Sequence, residues 1–119
     1  MHNLEEIIIW KKAIELSKVV YTICNELPSD EKFGMSNQMK RSVISISSNI
    51  AEGAGRNSDR EFLHFLGISQ GSSFELLTQL LLYIELNLAD KTKINPIIEN
   101  LKEIQKMNYA FQKNLKSNL

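Results

Sequence analysis

The sequence predicts an all-α protein that folds as an antiparallel up-down four-helix bundle, in a single domain covering residues 1–119. Apolar residues recur at alternating steps of three and four in four separate segments, which is the spacing of one helix face. The chain has only two prolines and five glycines in 119 residues, so long helices can run uninterrupted. No segment alternates apolar and polar residues as a half-buried strand does. Together these observations predict helices packed side by side with short connections.

Helix one is predicted over residues 4–27, where no glycine or proline interrupts the apolar pattern. Pro28 is expected to end this helix, because the residue before a proline is disfavoured in the helical conformation. Residues 28–34 then read as a compact connection. The apolar residues that define the helix face are Ile9, Ala13, Leu16, Val20, Ile23 and Leu27.

Helix two is predicted from Ser36, taken as its N-cap, to Glu52. The glycine-rich segment 53–57 is expected to end it, since glycine tolerates the left-handed conformation at a helix stop. Its apolar row consists of Met35, Met39, Val43, Ile46 and Ile50.

Helix three is predicted over residues 59–86 and is the longest of the four. Ser58 followed by Glu61 has the pattern of a capping box, and Asn87 is the expected stop. Gly67 and Gly71 lie inside this helix, where each costs about 1 kcal/mol relative to alanine. Their presence predicts a close approach of another backbone. The core face is expected to consist of Phe62, Leu66, Leu76 or Leu77, Leu80 and Ile84, with Leu63, Phe74 and Leu81 beside it.

Helix four has two possible starting points. Asp90 can serve as the N-cap, or Asn95 can, in which case Pro96 takes the first helical position, where its missing N–H is harmless. The apolar pattern continues to the end of the chain through Ile94, Ile97, Leu101, Ile104, Asn108, Phe111 and Leu115.

Charge is unevenly distributed, although fourteen basic residues balance fourteen acidic ones. Helix three is acidic, whereas helix four and the end of helix two are basic. One interpretation is complementary ion pairing between neighbouring helices. The other is a basic surface for an anionic partner. The zero net charge excludes a strongly basic molecule as a whole, but it leaves both interpretations open.

A polar stripe runs along helix two beside its apolar row, and helix three has a similar one. Both stripes are nearly free of lysine and arginine, which is unusual for a surface that contacts only water. We expect a polar network between helices or between subunits; a solvated helix face is the alternative. The predicted network comprises Gln38, Ser45, Asn49, Glu52, Ser72 and Glu75, with Ser42 and Gln79 in the same rows.

Catalytic and metal-binding motifs are weak in this sequence. The single Cys24 excludes a disulfide framework and a four-cysteine zinc site. Glu61 and His64 form the E-x-x-H step that di-iron bundle proteins use twice, but the only other histidine is His2. We therefore expect no enzyme activity, no metal and no cofactor; an enzyme site within the polar stripe is retained as a third alternative.

No targeting or membrane segment is expected. The N-terminal residues are acidic where a secretory leader is basic. The most apolar run, residues 76–88, is interrupted by Gln79, Glu85 and Asn87 and is shorter than the roughly 20 residues of a membrane span. We therefore expect a cytoplasmic protein.

Four blocks of sequence carry a family pattern that extends over essentially the whole chain. They are Trp10-Lys11-Lys12-Ala13, F-G-M at 33–35 followed by Gln38, S-I-S-S-N-I-A-E-G at 45–53, and G-S-S-F-E-L at 71–76. In these blocks the chain resembles the four-helix bundle protein family found in intervening sequences of bacterial large-subunit (23S) ribosomal RNA genes. It differs from the family pattern at Gln70, where the usual residue is basic.

The resemblance implies an all-helical protein that assembles into a ring-like homopentamer. The family is similar to the accessory variability protein of diversity-generating retroelements, a pentamer whose basic surface binds nucleic acid and a reverse transcriptase. The partners implied for this chain are therefore other copies of itself, RNA or DNA, and a reverse transcriptase.

The expected function is a non-enzymatic, homo-oligomeric scaffold that associates with nucleic acid. Its basic side chains would neutralise backbone phosphates, because the sequence contains no base-reading motif. A protein–protein adaptor that binds no nucleic acid is the alternative. The candidate phosphate contacts are Lys40, Arg41, Arg56, Arg60, Lys102, Lys106 and Lys113.

Overall fold

The computed structural model describes residues 2–27 and 32–119, and in these residues it confirms the four-helix bundle. Helix α1 (Ile8–Asn25) packs against α2 (Asn37–Ala54), α2 against α3 (Asp59–Glu85), and α3 against α4 (Lys91–Ser117). Contacts between α1 and α4 close the ring of helices, so α2 and α4 lie on opposite sides of the bundle. The molecule is a rod of 47 × 21 × 20 Å.

The predicted apolar faces meet along the axis of the rod. Each large side chain buried there contributes about 1.5–3 kcal/mol relative to an exposed one. Side chains with no exposed surface include Val20, Met39, Val43, Ile46, Ile50, Phe62, Leu66, Leu76, Leu80 and Leu101.

The N-terminal helix is shorter than predicted at both ends. Residues Leu4–Glu6 form a separate 3-10 turn, capped by the Asn3 side chain, and α1 begins only at Ile8. Ile7 between them is extended and buried, so the chain bends there to place this side chain in the core. The predicted stop at Pro28 and residues 28–31 of the connection lie outside the described residues.

Ser36 is not the N-cap of α2, contrary to the prediction. It has helical dihedral angles, and a π-helical turn (Lys32–Ser36) leads directly into α2. Its hydroxyl donates instead to the carbonyl oxygen of Cys24 at 3.3 Å. This serine therefore ties the start of α2 to the end of α1.

The glycine-rich segment 53–57 ends α2, as predicted, but not through a glycine in the left-handed conformation. No described glycine has a positive φ, and α2 continues to Ala54, with Gly55 as its C-cap. A Cβ on Gly53 would lie 2.7 Å from Cδ1 of Phe62 and 2.9 Å from Cβ of Phe65. Glycine is required at this position because α3 packs directly against the α2 backbone.

The predicted boundaries of α3 are confirmed to within one residue. Ser58 accepts a hydrogen bond from the backbone N–H of Glu61 at 3.2 Å and its hydroxyl donates to the Glu61 carboxylate at 3.4 Å. At the other end Asn87 has a φ of 55°. The N–H of Leu88 donates to the carbonyl oxygen of Tyr83, and the N–H of Asn87 donates to that of Ile84. This pair of hydrogen bonds defines a Schellman stop.

The two glycines inside α3 do not support a close approach within the chain. No atom lies within 4 Å of a Cβ built on Gly67 or Gly71, and both positions are exposed. The predicted backbone contact is therefore absent from the part of the single chain that the structure describes.

Helix α4 uses the earlier of its two predicted caps. The Asp90 side chain accepts a hydrogen bond from the N–H of Thr92 at 3.1 Å. Pro96 is consequently inside the helix rather than at its first position, and the Thr92 carbonyl that it cannot bond lies at an exposed position.

Candidate functional site

The inner part of the polar stripe joins α2 to α3. The hydroxyls of Ser45 and Ser72 are 2.7 Å apart, and Nδ2 of Asn49 donates to the Ser45 carbonyl at 2.8 Å and to its hydroxyl at 3.0 Å. One turn away, the buried Ser69 hydroxyl donates to the carbonyl of Ile46 at 2.8 Å. A side chain as short as serine reaches a backbone carbonyl only when the helices are close, so this seam is one of close packing.

The outer part of the stripe is exposed. Gln38 and Glu75 line a shallow groove together with Arg41. Glu52 lies further along α2, where its carboxylate pairs with Arg56 at 2.7 Å. The six predicted network residues therefore divide into three that bond to one another in the seam and three at its solvent edge.

Four basic candidates lie on α2, in the turn after it and at the start of α3, and two of them contact other side chains. The Lys40 ammonium is 5.1 Å from the centre of the Tyr21 ring. Arg56 stacks over Phe65 at 4.8 Å in addition to its ion pair. Arg41 and Arg60 are exposed.

The three candidate lysines of α4 form a separate group. Lys102, Lys106 and Lys113 are exposed and form no ion pair with any residue in the described part of the chain. Because α2 and α4 lie on opposite sides of the bundle, the seven candidates do not make one continuous patch on a single chain.

Ion pairs between helices link α4 to α1 and not to α3. Lys12 pairs with Glu103 at 2.9 Å, and Glu26 with Lys93 at 3.4 Å. Acidic α3 and basic α4 share no ion pair among residues 2–27 and 32–119. Complementary pairing therefore does not explain the charge difference between these two neighbours, although it does link α4 to α1.

A groove between α3 and α4 was missed by the sequence analysis. Phe74, expected beside the core face, is 54% exposed, and Tyr109 across the groove is 67% exposed. The signal on α4 was present in the sequence, because Tyr109 lies three residues after Lys106 and four before Lys113. The residues that line the groove are Phe74, Leu77, Lys102, Gln105, Lys106 and Tyr109.

Hydrogen bonds fix the register of the two helices that form this groove. The side-chain amide of Asn108 donates to the carbonyl of Leu66 at 3.1 Å, and that of Gln70 donates to the carbonyl of Gln105 at 3.0 Å. Gln70, where the family pattern has a basic residue, thus has a structural role here. The antiparallel register also places Arg60 and Lys113 at the same end of the bundle.

Cys24 and the E-x-x-H pair have structural surroundings. Cys24 is buried, and burial raises the pKa of its thiol above the ordinary 9.0, although hydrogen bonds from Ser36 and Tyr83 act in the opposite direction. Glu61 belongs to the cap of α3, and the exposed His64 ring contacts Phe65. Within the described ranges, no three His, Cys, Asp or Glu side chains are grouped as metal ligands.

Within residues 2–27 and 32–119, no helix combines the length and the apolar character needed to cross a membrane. These features define the class of protein as an all-α four-helix bundle with a polar seam between α2 and α3 and an aromatic, lysine-edged groove between α3 and α4.

Comparison with models of protein families identifies the family of this chain. The family model of the 23S rRNA-intervening sequence protein matches residues 5–110, and the chain belongs to this family. A comparison with curated proteins gave no match.

A solved structure is also similar to this chain. It is the crystal structure of a protein of unknown function from the S23 ribosomal protein family of Bacteroides thetaiotaomicron. The two are 26% identical with a TM-score of 0.83, and the match covers 89% of this chain and 96% of that one.

Proposed function

We propose that this protein is a non-enzymatic, homo-oligomeric scaffold that binds nucleic acid through phosphate contacts in the cytoplasm. The observation that carries the proposal is the row of lysines on α4. Lys102, Lys106 and Lys113 share one face, are exposed and lack acidic partners in the described chain. Exposed ammonium groups without an ion-pair partner are free to replace the counterions of a phosphate backbone.

Self-assembly is the second part of the proposal. Ile68 and Leu82 on α3 and Leu86 at its C-cap are exposed apolar residues on the helix face that also carries Gly71. Exposed apolar side chains along one helix face favour a surface that another protein covers. The family resemblance favours five subunits. An oligomer repeats the short lysine row of each chain, so weak contacts add up to useful avidity.

Binding to RNA and DNA as a function of salt concentration tests the nucleic-acid part. For a single strand, each neutralised phosphate contributes about −0.7 to the slope of log affinity against log salt, so three lysines contribute about −2 per bound chain. Lys106→Ala is expected to weaken binding and to reduce the slope by about 0.7. The matched control is Lys93→Ala on the same helix, whose ammonium is paired with Glu26. Affinity that does not fall with salt, or an equal loss in the control, would refute the proposal.

Sedimentation analysis tests assembly. Leu82→Arg is expected to dissociate the oligomer while the helical dichroism stays unchanged, because the side chain is already exposed in the single chain. Ile8→Arg, at an exposed apolar position on α1, is the control and is expected to stay assembled. A monomeric wild-type protein would contradict this part of the proposal.

A protein–protein adaptor is the second candidate function, and the exposed apolar residues of α3 also favour it. It predicts that the α3 face binds a different protein and that the α4 lysines are dispensable. Recovery of one stoichiometric partner from a nuclease-treated lysate, lost with Leu82→Arg but not with Lys106→Ala, would favour this function over nucleic-acid binding.

A further inference from the structure

We infer that the groove between α3 and α4 binds single-stranded nucleic acid by stacking bases on Phe74 and Tyr109, between the phosphate-binding lysines. The inference rests on the proposed nucleic-acid function and adds to it the form of the ligand. It also assigns binding roles to two side chains that phosphate neutralisation alone does not use.

The shape and lining of the groove support base stacking. It has a volume of about 460 Å³ and a mainly apolar surface. Phe74 rises from α3 and Tyr109 from α4, and both rings are more than half exposed. Each of these rings exposes apolar surface to water, and a nucleobase is a flat partner that can cover that surface. Stacking of this kind accepts any base, because every base has a π-face.

The positions of the charges match a nucleic-acid strand along α4. Lys102, Lys106, Tyr109 and Lys113 follow one another at steps of four, three and four residues, so they share one face of the helix. The row spans about 16 Å at 1.5 Å per residue. Ammonium groups therefore lie before and after the Tyr109 ring along the helix. When a base stacks on this ring, the phosphates on either side of that base can contact these ammonium groups.

Two other occupants fit the groove less well. In a duplex the π-faces of the bases are covered by neighbouring bases, so they cannot stack on the two rings, which would remain uncovered. A second copy of the chain that presented the same groove would bury lysines without acidic partners, which is costly, because the described residues lining the groove include no carboxylate. Single-stranded nucleic acid satisfies both the rings and the lysines.

The experiment compares three labelled probes of equal length by fluorescence anisotropy: an oligouridylate, an abasic strand and a blunt RNA duplex. The wild-type protein is expected to bind the oligouridylate most tightly. Phe74→Ala and Tyr109→Ala are each expected to weaken oligouridylate binding about 5- to 150-fold and to leave abasic binding and the salt slope unchanged. Tyr109→Trp is expected to retain binding, and Ile8→Ala, at an exposed apolar position on α1 outside the groove, serves as the control.

The outcomes separate this inference from the proposed function. If the wild-type protein binds no probe, the proposed function fails. If it binds all three with a salt dependence, and the two aromatic variants behave like wild type, the proposed function stands and the stacking inference is overturned. If the aromatic variants lose binding because they fall from oligomer to monomer in sedimentation, the groove is a subunit interface and the inference is again overturned.

Discussion

Gly53 provides a sharp test of the packing between α2 and α3. Gly53→Ala places a Cβ 2.7 Å from the Phe62 ring and 2.9 Å from Cβ of Phe65, whereas carbon atoms pack best at about 3.5–4.0 Å. The Phe62 ring is fully buried, and Cβ of Phe65 is fixed to the α3 backbone. The clash can therefore be relieved only by moving α3 away from α2.

The expected effect follows from two opposing terms. Overpacking of a core costs about 1–3 kcal/mol, and this site belongs at the upper end because two contacts are violated. The gain in helix propensity from glycine to alanine is about 1 kcal/mol, which leaves a net loss of about 2 kcal/mol in the free energy of unfolding. Gly67→Ala meets no atom within 4 Å and is expected to gain about 1 kcal/mol.

Urea unfolding followed by circular dichroism measures both variants. All proteins are compared at one concentration, because assembly makes the apparent stability concentration-dependent. The two variants should differ by about 3 kcal/mol and have opposite signs relative to wild type. A Gly53→Ala protein as stable as wild type would show that α3 does not pack on the α2 backbone as described.

Three further predictions concern single side chains. Asn87→Val is expected to lower the free energy of unfolding by about 1–2 kcal/mol, because a β-branched residue is strained at a positive φ, whereas Asn87→Gly should be tolerated; urea unfolding measures both. Ser69→Ala loses the buried hydrogen bond to Ile46 and is expected to cost about 1 kcal/mol in the same measurement. Burial raises the pKa of the Cys24 thiol above 9.0, so the folded state holds this proton more tightly. The free energy of unfolding should therefore fall as the pH rises above 9.0 towards the folded-state pKa, and urea unfolding across alkaline pH should show a shallower fall for Cys24→Ala.

Each of these predictions has a result that contradicts it. Equal stability of the valine and glycine variants at position 87 would argue against a left-handed helix stop. A Ser69→Ala protein as stable as wild type would mean that the hydroxyl makes no net contribution to the seam between α2 and α3. An unchanged alkaline slope in Cys24→Ala would show that this thiol has the same pKa in the folded and unfolded states.

The helices themselves could be predicted because their pattern is local. Residues such as Val20, Ile46 and Leu101 repeat at helical spacing in any chain that buries one face of each helix. The wrong predictions concern residues whose roles depend on a neighbouring helix. Serine is a residue type that often caps helices, but the Ser36 hydroxyl donates to the carbonyl oxygen of Cys24 on α1. Gly53 was expected to act in the stop of α2 through a left-handed conformation, but its missing side chain makes room for α3.

Only the α4 side of the groove could be predicted from the sequence, because helical spacing is local to one segment. The spacing of four residues places them on one face of a helix, so one side of the groove can be predicted from a single stretch of sequence. These residues are Lys102, Lys106, Tyr109 and Lys113. Phe74 joins them because two side-chain amides hold α3 and α4 in register, and periodicity carries no information on that register. Charge sums had the same weakness: they showed that α3 is acidic and α4 basic, whereas only the packing shows that the α4 lysines remain unpaired beside an uncovered aromatic surface.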